Sequence, residues 1–132
     1  LAFDGLSGTP VMLWKGRFFD AYATWFSRHA PFESPLSEDI ANWNMPADRP
    51  APDSKGFEGY RIDKSGNPTF LVLREGVALE ETFFADHLGM HRIIRSRSDA
   101  QPPKALHPAR IEVVEIPTPT PATQHFHYLW RP

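Results

Sequence analysis

The chain has 132 residues, 41% of them hydrophobic and 13% aromatic, with a formal net charge of -2 and no cysteine. One domain of this size buries about two-thirds of its unfolded surface without metal or disulfide help. The charge balance excludes a general pull towards nucleic acid, and the missing thiols exclude a disulfide framework, a thiolate zinc site, a cysteine nucleophile and thioether-linked haem.

No run of about 18 apolar residues is present, so no membrane span is expected. The first residue is Leu1, with no charged-then-apolar leader before it. The expectation is a single domain over residues 1–132, cut from a longer chain.

In chain order, residues 1–4 predict a short strand that ends in a turn rich in Gly, Ser and Pro, from Gly5 to Pro10. Residues 11–20 predict a second strand, with a bulge at Gly16. Residues 21–29 fit a further strand better than a helical turn, although Tyr22, Trp25 and Phe26 have helical spacing. Residues 31–55 form a long proline-rich excursion, with one candidate helical turn from Ser37 to Trp43.

The strongest signal is a three-strand meander over residues 57–63, 68–74 and 77–84. Gly66 stands where a short hairpin loop needs a positive φ, and Glu75-Gly76 fits a two-residue turn. Pro68 opens its strand, where a missing N–H costs least. After a loop at residues 85–90, residues 91–98 predict a strand flanked by Arg92, Arg95 and Arg97, the charges of a sheet edge. A polar loop at residues 98–108, a strand at 110–116 and a stiff Pro-Thr connector at 117–121 follow.

The closing strand, residues 124–130, alternates Phe126, Tyr128 and Trp130 against His125, His127 and Leu129. Eight or nine short strands punctuated by Pro and Gly predict an all-β fold, an antiparallel β-sandwich with the meander at its centre and one long proline-rich loop.

Three pieces of the chain carry a resemblance. Trp14, Gly16, Phe18, Asp20, Ala21 and Trp25 follow a W-x-G-x-F-x-D-A-x-x-x-W pattern. Phe57, Gly59, Tyr60, Ile62, Asp63, Gly66, Pro68, Thr69 and Phe70 follow an F-x-G-Y-x-L-D-x-x-G-x-P-T-F pattern, with Ile62 in place of Leu. Tyr128-Leu129-Trp130 is similar to the final strand of the same module.

This module resembles a β-sandwich accessory domain of large secreted proteins of environmental bacteria, found beside c-type cytochrome domains and propellers similar to glucose/sorbosone dehydrogenases. The resemblance implies a secreted or periplasmic, cytochrome-associated setting. It implies partners in neighbouring cytochrome c or propeller-like domains of the same polypeptide. It brings no catalytic residues and no cofactor of the domain's own.

Two further readings come from residue chemistry. Trp43 lies in the excursion among Asn42 and Asn44, and with Trp25 and Arg28 it forms a candidate glycan surface, since flat aromatics stack on sugar rings and amides or cations fix hydroxyls. His125 and His127 share one strand face about 7 Å apart, a candidate metal pair if His107 or Glu112 supplies a third ligand. A small metal-assisted hydrolase or lyase is the enzymatic version of that pair. Glu80 and Glu81 point to opposite faces of one strand, so they do not serve one scissile bond together. Asp20 with Arg28 and His29 reads as a structural ion pair before a catalytic group.

Overall fold

The turn and alternation signals are realised as strands in a computed structural model, which describes residues 1–19, 35–36, 39–43 and 56–130. Eleven strands occur among the described residues: β1 (Ala2–Asp4), β2 (Thr9–Trp14), β3 (Arg17–Phe19), β4 (Pro35–Leu36), β5 (Ile40–Asn42), β6 (Phe57–Ile62), β7 (Pro68–Arg74), β8 (Val77–Ala85), β9 (Gly89–Ser96), β10 (Glu112–Ile116) and β11 (Thr123–Leu129). They form a three-stranded sheet in the order β1-β2-β5, a six-stranded sheet in the order β10-β11-β9-β8-β7-β6, and the pair β3-β4. Every pairing is antiparallel. No helix among the described residues is long and apolar enough to cross a membrane.

The meander β6-β7-β8 follows from its turns. Gly66 and Gly76 have φ of 84° and 78°, and Glu75 also takes a positive φ of 49°. Two consecutive positive values make 75–76 the turn type whose twist matches the flanking strands. Asp63 organises the other loop, its carboxylate accepting from the backbone N–H groups of Ser65 and Asn67 at 2.8 and 2.9 Å. These bonds, with Asn67 foremost, hold the Asp63 carboxyl below its ordinary range.

Side chains alternate across the six-stranded sheet, and one face packs on the smaller sheet. Val72, Leu79, Ile94, Phe126 and Tyr128 from the large sheet meet Leu13 and Trp43 in one buried cluster. Phe3 of β1 stacks on Phe70 with centroids 3.9 Å apart, and Trp43 meets Tyr128 edge-on at 5.7 Å. Aromatic side chains bury about 150–250 Å² each, so these pairs join the two sheets as well as filling the space between them.

Three expectations change. Residues 40–42 are strand β5, hydrogen-bonded to β2, where a helical turn was predicted. Pairing with β2 places Ala41 in the core, which outweighs the weak capping signal of Ser37, a residue outside the described set. The strand over 11–20 breaks at Lys15-Gly16 into β2 and β3.

β9 is no edge. It lies between β8 and β11, because β11 pairs with β9 as well as with β10. Arg92 and Arg95 of this strand, and Arg97 just after it, are all ion-paired, Arg92 in the core and the other two on the exposed surface. Arg92 points inward to Glu81, Arg95 bonds Glu80 across the outer face, and Arg97 reaches Glu58 at 2.7 Å. The strand expected over 21–29 and the Asp20–Arg28 pair lie outside the described residues.

Candidate functional site

Among the described residues, chemistry-bearing side chains gather at two places, on opposite faces of the six-stranded sheet. The inner group is a buried ion cluster. Glu81 is fully buried and Arg92 is 2% exposed. The Arg92 guanidinium donates to both Glu81 oxygens at 3.1 and 3.2 Å, to the Leu106 carbonyl at 2.9 Å and to the Tyr128 hydroxyl oxygen at 3.3 Å. Arg74 completes the group, donating to Glu81 and, at 2.8 Å, to the carbonyl of Gly8.

Burial opposes the charge on Arg92, yet the Glu81 carboxylate beside it holds its pKa above the ordinary value. Burial also raises the Tyr128 phenol. Every partner here is a group of the fold itself, so the cluster cross-links β7, β8, β9, β11 and the 105–107 loop.

The outer group is built by register. β8 ends at Ala85, and Asp86 turns the chain into β9. The Asp86 Oδ1 accepts from the N–H groups of Leu88 and Gly89, both at 2.8 Å, while its own N–H donates to the Gly89 carbonyl at 3.0 Å. Phe84, His91 and His127 are then direct neighbours on β8, β9 and β11. Adjacent strands run about 4.7–4.9 Å apart, a spacing that lets flat rings stack. Phe84 lies on His91 at 4.5 Å and 9°, and His91 on His127 at 3.8 Å and 12°.

Asp86 closes the end of this row. Its Oδ2 is 3.0 Å from His91 Nε2 and its Oδ1 is 3.3 Å from His127 Nε2. His125, two residues before His127 on the same face, places Nε2 2.9 Å from His91 Nδ1. The His91 ring bond, followed by the backbone N–H groups and His127, holds the Asp86 carboxyl far below the usual carboxylate range. Burial, then the neighbouring imidazoles His91 and His127, lowers His125. The His91 and His127 side chains are 13% and 12% exposed, and Asp86 is 30% exposed. The cluster is therefore set into the sheet surface with its acid end towards water.

The structure brings together only part of the predicted set. His125 and His127 do share a face, as strand alternation required. The third ligands expected for them lie elsewhere. His107 sits on the core side of β11, bonded to the Tyr128 hydroxyl at 3.1 Å and edge-on to Phe126 at 4.5 Å. Burial lowers its pKa, helped by Arg92. Glu112 is opposite Leu129 on β10.

Sequence reasoning missed Asp86 and His91 as the partners. In sequence His91 stands four residues after His87, a helical spacing that the turn does not realise, and His87 is exposed there. The available signal was the turn-forming Asp86 before Gly89, with His91 one strand pair further on.

Of the candidate glycan residues, Trp43 is 6% exposed and its indole N–H donates to the Leu106 carbonyl at 2.9 Å. It anchors the core and offers no open face for a sugar ring. Asn42 is exposed on β5, with its carbonyl accepting from Ala109 N–H at 2.9 Å. Trp25, Arg28 and Asn44 lie outside the described residues. Compared with protein-family models, curated proteins and solved structures, the chain finds no match.

Proposed function

We propose that this chain is a non-catalytic accessory or docking module of a secreted or periplasmic redox protein, seated against a cytochrome c or propeller-like neighbour in the same polypeptide. The observation that carries the docking part is the outer side of β6, the last strand of the six-stranded sheet, which pairs with no other strand among the described residues. Tyr60 and Ile62 stand two residues apart on it, 63% and 60% exposed. Two large apolar side chains side by side on an outermost strand, with backbone groups next to them that no described strand pairs, suit another protein surface better than water. The register shift at Gly59 and the Arg61–Glu80 ion pair keep the same edge from pairing with copies of itself. The redox setting rests on the motif resemblance alone.

Amide hydrogen exchange on the isolated chain and on the full polypeptide tests this reading. Slower exchange at residues 57–62 in the full polypeptide is the expected result. Unchanged exchange across β6 overturns docking through this edge. The glycan reading draws no support from the placement of Trp43, and the metal-assisted reading depends on whether the outer cluster holds an ion.

A further inference from the structure

Three imidazoles and one carboxylate on a sheet face bury little apolar surface, so hydrophobic packing does not account for their convergence. The ligand atoms of Asp86, His91 and His127 all lie within 4.8 Å of one another. Nitrogen and oxygen ligands about 2.0–2.2 Å from a tetrahedral ion stand roughly 3.3 Å apart. The two contacts to Asp86, at 3.0 and 3.3 Å, are already at that separation. The two stacked rings, 12° from parallel, each present Nε2 to one oxygen of the same carboxylate.

We propose that Asp86, His91 and His127 form a binding site for a divalent first-row transition ion, zinc or copper, with Nε2 of each histidine and the carboxylate as ligands. His125 is the supporting residue. A metal-bound imidazole usually donates its second ring N–H to a fixed acceptor, and His125 Nε2 stands 2.9 Å from His91 Nδ1 in that role. Phe84 walls the other side of His91 and fixes the ring plane. Imidazole donors favour copper and zinc, whereas magnesium and calcium require an oxygen-rich shell that one carboxylate does not supply.

Three protein ligands leave a fourth coordination position for water, so the ion would exchange more readily than in a closed four-ligand site. The site stands independently of the docking reading, because β6 lies at the sheet edge with β7, β8 and β9 between it and β11.

The test uses protein purified without a histidine tag, titrated with zinc chloride or copper chloride in a non-coordinating buffer. Imidazole nitrogen–proton spectra follow the zinc titration, and metal analysis after desalting follows both. One retained equivalent is expected, with the Nε2 signals of His91 and His127 moving while those of His87 and His107 stay in place. His91→Ala and His127→Ala should abolish retention, and His125→Ala should weaken it by about 10–100-fold.

Wild-type spectra decide the matter even if a variant does not fold. The proposal is overturned if one equivalent of zinc leaves both Nε2 signals unmoved, or if magnesium chloride moves them equally. Retention that survives both alanine variants also overturns it.

Discussion

Glu81 lies fully buried between two arginines, and the energetics of such a group are asymmetric. Assembling a buried pair gains little, because desolvation offsets attraction, but removing one partner strands the other charge in a medium that cannot solvate it. Glu81→Gln keeps the side-chain shape and leaves Arg92 and Arg74 without their anion. It is expected to cost about 3–5 kcal/mol, read as a fall in the urea midpoint at unchanged slope. Replacing all three groups together with Leu and Met should restore part of that loss. A Glu81→Gln cost below about 1 kcal/mol would mean that the carboxylate reaches water.

At the scale of elements, the meander rests on two turns. Gly66 and Gly76 both have positive φ, where a β-branched side chain is a steric outlier even with empty space around it. Gly66→Val should therefore cost about 1–3 kcal/mol, while Ser65→Ala next to it should cost less than about 0.5 kcal/mol. Equal small losses in chemical denaturation would place the turn elsewhere.

These elements were legible because local rules determine them: positive-φ residues mark hairpins, and alternation assigns faces. Alternation likewise put His125 and His127 on one face and Phe126 and Tyr128 on the other. What local rules do not carry is which strand lies beside which. Arg92, Arg95 and Arg97 looked like edge charges because the carboxylates that neutralise them, Glu81, Glu80 and Glu58, sit on β8 and β6. His107 looked available to His127 for the same reason. The pairing of β11 with β9 was needed to show that His91, not His107, is the neighbour.

On the scale of the whole molecule, one six-stranded sheet serves two environments. Its inner face closes on β1, β2 and β5 around Leu13, Trp43 and Phe126, and takes a charged cluster into that core. Its outer face carries the Phe84, His91 and His127 row with Asp86 at its end. Both groups depend on the same register of β8, β9 and β11, since a slip of one residue would exchange the faces.

Nuclear Overhauser contacts across β9 and β11 test that register most directly. Ring contacts of His91 to both Phe84 and His127, together with contacts of Tyr128 to Trp43, are the predicted result. Contacts of His91 to Phe126 or Tyr128 in their place would contradict the sheet order, the buried ion cluster and the metal site together.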